Sequence, residues 1–222
     1  MLKKINLKSI LKSHYKVLIP GGTGFIGYHL CLFCIKKGWK VHSVSKSRPK
    51  KNRKVSGVKY ILCDVTNKKK LKENLDEYYD YIVNLSGYVD HSKKKLINKT
   101  HFNGCKNLAN NFKKKWPKKF IQIGSSIEYG KQESPQKEIL LKKIDTSSSY
   151  GNAKLASTFF LLSLFKKESY PISIIRPYLV YGPNQDNNRV IPFVINNSLE
   201  GNIFNCSPGN QFRDFLYIDD FV

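Results

Sequence analysis

Arginine and acidic side chains are both scarce in this chain. Only five of its 39 basic residues are arginine, the rest being lysine, and 16 acids leave a net charge of +23. Recognition of bases and phosphates favours the planar guanidinium fork, so lysine-rich basicity argues against a dedicated nucleic-acid site. Lysine, asparagine and isoleucine, all abundant here, share A/T-rich codons, and a composition bias accounts for general surface basicity. No apolar run approaches the ~20 residues that a membrane-spanning helix needs. The opening Met1-Leu-Lys-Lys-Ile-Asn-Leu-Lys has no long apolar core of the secretory kind. An odd count of five cysteines without such a signal predicts reduced thiols and a cytoplasmic location. The pair Cys31-Leu-Phe-Cys34 lacks a second pair at zinc spacing and sits among Leu30, Leu32, Phe33 and Ile35, which reads as core packing and not as a metal site.

What is present begins at Val17-Leu-Ile-Pro-Gly-Gly-Thr-Gly-Phe-Ile-Gly-Tyr-His-Leu30. An apolar strand stops at a glycine cluster and an apolar helix follows. Gly21, Gly24 and Gly27 recur at three-residue intervals. Gly21 permits a sharp turn, Gly24 leaves the backbone open to a pyrophosphate, and Gly27 lets the helix pack closely. Free N–H groups and the helix dipole then favour an anion. The pattern predicts a dinucleotide-binding loop; an ordinary glycine-rich turn is the plainer alternative.

Downstream, short apolar runs predict strands over 17–20, 40–45, 58–62, 80–85, 119–124 and 171–176. Helical patterns fall near 25–37, 67–78, 93–115 and 147–168. This alternation implies an α/β fold, a Rossmann-type doubly wound parallel sheet. Residues 1–15 form a basic N-terminal extension, in which Leu7, Ile10 and Leu11 stand at helical spacing. Residues 16–177 form the cofactor-binding domain. Beyond Pro177 the rhythm breaks into Pro-, Gly- and Asn-rich loops with a short helix near 190–200, the start of a small substrate lobe over 178–222 that looks incomplete. Runs such as Lys68-Lys69-Lys70 and Lys93-Lys94-Lys95 read as solvated helix starts.

Two segments carry chemistry. In Tyr150-Gly-Asn-Ala-Lys154 the i, i+4 spacing puts a phenol and an ammonium on one helix face, where the cation is expected to lower the phenol's pKa and fit it for proton exchange with an alcohol or ketone. Thr146-Ser-Ser-Ser149 supplies capping hydroxyls for that helix. In Ile121-Gln-Ile-Gly-Ser-Ser126 a strand ends in two hydroxyls, at the edge where open α/β sheets bind ligands.

Together these segments resemble the extended short-chain dehydrogenase/reductases, specifically the NAD-dependent epimerase/dehydratase group acting on nucleotide sugars. The resemblance rests on Gly21-Gly-Thr-Gly-Phe-Ile-Gly27, Asp64-Val65, Asn84-Leu-Ser-Gly87, Asn103-Gly-Cys-Lys-Asn-Leu108, Ser125-Ser-Ile-Glu-Tyr-Gly130, Tyr150-Gly-Asn-Ala-Lys154, Arg176-Pro177, Val180-Tyr-Gly-Pro183 and Arg213-Asp-Phe-Leu-Tyr-Ile-Asp-Asp220. It implies that Tyr150 is the catalytic acid/base, that Lys154 tunes it and holds the nicotinamide ribose, and that Ser125 orients the sugar oxygen. Asn103 would support the lysine through water. Gly21, Thr23, Gly24, Phe25, Ile26 and Gly27 would hold the pyrophosphate, Asp64 and Val65 the adenine, and Leu85, Ser86 and Gly87 the nicotinamide side. Ser126 and Arg213 would face the substrate, Arg213 its phosphates. The partners implied are a nucleotide sugar and a second copy of the chain, paired through the helices near 93–115 and 147–168.

Four features depart from the family pattern. Pro20 stands where a threonine is usual. The second strand ends Val44-Ser-Lys-Ser-Arg48, with Ser45 in the slot where NAD-preferring members carry an acid; Lys46 and Arg48 could neutralise a 2′-phosphate, so NADP is expected over NAD. The acidic pair of the sugar dehydratases is replaced by Ser126 and Ile127, with Glu128 one place further, which favours an epimerase or keto-sugar reductase. The sequence stops at Val222, where the family continues, so a fragment is expected. The alternative is a non-catalytic NAD(P)-binding module tethered to RNA or an anionic surface by its charge.

Overall fold

The computed structural model describes residues 15–88, 93–138 and 144–222. The expected basic N-terminal extension over 1–15 therefore lies outside the described residues, Tyr15 excepted.

Six strands, β1 (Lys16–Pro20), β2 (Lys40–Ser45), β3 (Lys59–Leu62), β4 (Tyr81–Asn84), β5 (Lys119–Ile123) and β6 (Ile172–Ile175), form one sheet in the order β3-β2-β1-β4-β5-β6, and every pairing is parallel. Each expected strand lies within a residue or two of its apolar run, because strands buried on both faces read as continuous Val/Ile/Leu runs. Alternation along β1 splits the core. Leu18 points to one face, with Val44, Ile82, Leu108, Phe112 and Leu161, and Val17 and Ile19 point to the other, with Cys31, Cys34 and Val41.

Helix α1 (Phe25–Lys36) covers the second face. Cys31 and Cys34 are buried there, and burial pushes both thiols up to about 12, which makes them packing groups and poor nucleophiles. On the first face lie α2 (Lys68–Asn74), α4 (Gly104–Asn111) and α5 (Ser149–Glu168). A short helix α3 (Lys94–Asn98) runs into α4 through one π-type turn over Lys99–Asn103.

Strand order reverses between β1 and β4, and crevices beyond the C-terminal ends of such strands are where open sheets hold ligands. The remaining elements are β7 (Leu179–Tyr181), α6 (Val190–Leu199), β8 (Phe215–Tyr217) and α7 (Ile218–Phe221), with β7 and β8 pairing as a separate parallel ribbon. The sequence pattern showed no strands here, since three-residue strands carry no legible period. These elements bury little: Leu199, Ile203 and Phe212 are more than four-fifths exposed.

Candidate functional site at the switch point

The glycine loop leaves β1 at Gly21, whose φ of +85° strains any other residue. A Cβ at Gly21 would also lie 2.6 Å from the Leu85 carbonyl, so the loop rests directly on the end of β4. A Cβ at Gly27 would meet the Gly21 oxygen at 2.3 Å, which explains its place on the buried face of α1. A Cβ at Gly24 meets only the Gly21 oxygen, at 3.3 Å, and otherwise faces open space. Gly24 N-caps α1 without a side-chain hydrogen bond, and no acid stands in the first turn. The N–H groups and positive dipole end of α1 are thus available to an anion, beside Thr23, Phe25 and Ile26. These residues fit a dinucleotide pyrophosphate. Pro20 sits at the last position of its strand, and its carbonyl accepts from Leu85 N–H at 2.8 Å.

Along the sheet edge from the loop, Ser45 closes β2, and its hydroxyl is buried with no hydrogen-bond partner among the described residues. Lys46 and Arg48 are exposed beyond it. Lys46 lines a cleft of about 660 Å³ with Asp64, Thr66, Asn67, Lys70 and Lys99. Burial alone would raise the Asp64 carboxyl, but the Thr66 N–H at 2.8 Å and the charges of Lys46 and Lys99 hold it below the usual range. Val65 is buried, its carbonyl accepting from the Asn107 amide at 3.1 Å. Ser86 is fixed by its own N–H and hydroxyl to Asn84 Oδ1 at 3.1 and 2.6 Å, and Asn84 donates to Gln122 Oε1 at 2.7 Å.

Ser125, Tyr150 and Lys154 converge. Ser148 caps α5 by accepting from Gly151 N–H at 3.0 Å, which starts the helix at the register that turns Tyr150 and Lys154 inward. Ser125 lies just past β5 and hydrogen-bonds Tyr150. Lys154 is buried and donates to the Ile123 carbonyl at 2.7 Å; its Nζ lies 5.7 Å from the centre of the Tyr150 ring. Burial lowers Lys154 to about 8, opposed by Glu128.

One expectation needs correction here. The Tyr150 phenol is pushed up, not down: burial outweighs the Ser125 hydrogen bond and the charge of Arg189, and the ammonium is aimed at the Ile123 carbonyl. The phenol is therefore held protonated at neutral pH, as a proton donor. Asn103 is exposed and lines an outer cleft with Lys94, Lys95, Asn98, Ser149 and Asn152. The inward residue of that turn is His101, which the sequence reading passed over. Two residues along a helix is about 200° of rotation, so His101 and Asn103 take opposite faces. Arg213 is exposed and, among the contacts described, bonds within its own segment to Gln211 and the Phe212 carbonyl.

Glu128 braces the same strand end. It is fully buried in a short turn over Ser126–Tyr129, accepts from Ser125 N–H at 2.9 Å and Thr158 Oγ1 at 2.6 Å, and pairs with Arg176 Nε at 3.2 Å. Gly124 makes this approach possible, since a Cβ there would lie 2.3 Å from Glu128 Oε1. Ser126 stands beside it, its N–H donating to the Pro177 carbonyl at 3.0 Å.

A parallel sheet with a glycine loop at its switch point and a Ser–Tyr–Lys cluster two strands away defines a dinucleotide-binding α/β protein. The chain belongs to the NAD dependent epimerase/dehydratase family, whose model matches residues 17–222. It is 29% identical over 238 residues to a dTDP-D-glucose 4,6-dehydratase of Dictyostelium discoideum, an alignment covering 93% of this chain and 54% of that relative. The chain thus spans about half the length of that protein. Among solved structures, the UDP-glucose 4-epimerase of Thermotoga maritima superposes with a TM-score of 0.84 at 24% identity, over 93% of this chain and 70% of that one, a likeness of fold. The UDP-glucuronic acid 4-epimerase of Bacillus cereus, solved with UDP-glucuronic acid and NAD, gives a TM-score of 0.77 at 27% identity over 93% of this chain and 70% of that one. Among the described residues no helix is long and apolar enough to cross a membrane.

Proposed function

We propose that the chain is the cofactor-binding part, with the start of the substrate lobe after Pro177, of a cytoplasmic NAD(P)-dependent nucleotide-sugar epimerase or keto-sugar reductase. The convergence of Ser125, Tyr150 and Lys154 carries this reading. When bound, the nicotinamide supplies or accepts a hydride at a sugar carbon. The protein's share is proton handling and orientation. Tyr150 gives its proton to the oxygen on that carbon, or takes it back in the reverse direction, and Ser125 holds the oxygen against the phenol. The buried Lys154 ammonium stabilises the phenolate that forms. A phenol kept protonated at rest suits the reducing direction.

Water elimination needs a further acid/base pair beside Ser125. Glu128 is the nearest carboxylate in sequence, and its oxygens are committed to Ser125, Thr158 and Arg176. This supports epimerase or reductase over dehydratase. The family matches lend nothing to a non-catalytic polyanion-binding module. Exposed Leu96 and Phe159, on α3 and α5, support a homodimer through those helices.

For the cofactor, Ser45 and the exposed Lys46 and Arg48 favour NADP, although the Bacillus cereus structure holds NAD. Titration with both dinucleotides tests this. NADP is expected to bind more tightly, and Lys46→Ser to weaken NADP by about tenfold with little effect on NAD; NAD binding at least as tightly as NADP contradicts it. The activity itself is tested by incubating the chain with NAD or NADPH and UDP- or dTDP-linked hexoses and their 4-keto forms, and following epimer or alcohol by chromatography.

A further inference from the structure

The π-type turn between α3 and α4 puts His101, not a helix-surface residue, at the centre of the site. Gly104 N–H reaches back to the Lys99 carbonyl, one residue further than an α-helix allows, and such turns often mark functional positions. His101 is buried, and its ring meets the Tyr150 ring edge-on with centroids 5.0 Å apart. Its Nε2 lies 3.1 Å from Tyr88 N and 3.3 Å from Tyr88 O. Its carbonyl accepts from Ser157 Oγ, one helical turn beyond Lys154, at 3.1 Å. Gly87 exists as glycine against this ring, because a Cβ there would fall 2.4 Å from His101 Cε1.

A continuous contact path therefore runs from the glycine loop to the phenol. Gly21 rests on Leu85, the chain passes through Ser86 to Gly87 and Tyr88, and His101 joins these to Tyr150. We propose that His101 is a positioning residue that fixes the Tyr150 ring relative to the end of β4, where the cofactor is read to lie. This rests on the acid/base assignment of Tyr150. An edge-to-face aromatic contact is directional, and misplacing a reacting group by about 1 Å costs as much as 100-fold in rate.

The 222-residue chain labelled with 3-fluorotyrosine tests the proposal, with the Tyr150 resonance assigned by its loss in Tyr150→Phe. The unsubstituted protein and His101→Phe, which keeps a ring edge, are expected to give one narrow Tyr150 line. His101→Ser and His101→Gln, the latter retaining a side-chain hydrogen bond to Tyr88, are expected to broaden or split it without changing the melting temperature of the Gln variant. With UDP-glucuronic acid or UDP-glucose as probe, kcat is expected to fall about 10- to 100-fold at unchanged KM and unchanged cofactor Kd, and to recover in His101→Phe. A single unshifted Tyr150 line in both the Ser and Gln variants, or full kcat in them, overturns the proposal. Full turnover in Tyr150→Phe overturns the acid/base assignment instead, and leaves the resonance result standing as its own measurement.

Discussion

Lys154 Nζ donates to the Ile123 carbonyl at 2.7 Å. The bond ties the second turn of α5 to the last residue of β5, one step before Gly124 and two before Ser125, so the helix carrying Tyr150 and the strand end carrying Ser125 are held as one piece. It also keeps a buried ammonium in place at a cost, since burial lowers the lysine to about 8.

That cost has a pH signature. Between about 8, in the folded protein, and 10.5, the ordinary lysine value, the unfolded chain binds a proton that the folded chain has released. Stability contributed at this site therefore rises with pH across that window, by at most ~1.4 kcal/mol per pH unit. Urea denaturation at pH 7.5 and 9.5 is expected to show wild type gaining on Lys154→Met. A constant difference contradicts the shift.

The Glu128–Arg176 pair is buried, with side-chain exposures of 0% and 8%. Breaking such a pair from one side strands the other charge, which costs about 3–5 kcal/mol. Glu128→Ala is expected to destabilise by that amount and to loosen Ser125, whose N–H it binds. The double replacement Glu128→Leu with Arg176→Met is expected to cost less than the sum of the single losses. Loss of under about 1 kcal/mol in Glu128→Ala would mean that the carboxylate is not part of the framework.

Gly27→Ala drives a methyl into the Gly21 oxygen and Gly22 Cα, 2.3 and 2.6 Å from its ideal position. Overpacking of this kind costs about 1–3 kcal/mol. Because the displaced atoms form the loop read as the pyrophosphate cradle, dinucleotide affinity is expected to fall together with the melting temperature. Calorimetric titration on a sample shown to be folded separates the two effects.

The six sheet strands were legible because each is a short apolar run between turn residues, and the glycine loop because its spacing, strand and helix coincide. Ser125, Tyr150 and Lys154 were legible through their motifs. Other features were not. The Tyr150 shift depends on burial and on where the Lys154 ammonium points, and i, i+4 spacing reports neither. His101 and Asn103 take opposite faces of one helical turn, and no sequence periodicity marks which of the two is buried. Gly124 and Glu128 act as a pair only once the chain has turned after β5. The ribbon of β7 and β8 joins three-residue strands 36 positions apart, Leu179 to Phe215, too short and too distant to read.

The acid/base assignment of Tyr150 is tested most directly by Tyr150→Phe, with cofactor binding and sugar turnover measured on the same preparation. The phenol proton is predicted to be worth about 10²- to 10⁴-fold in turnover, while the dinucleotide Kd stays within about twofold. Turnover equal to wild type in the Phe variant would contradict the account.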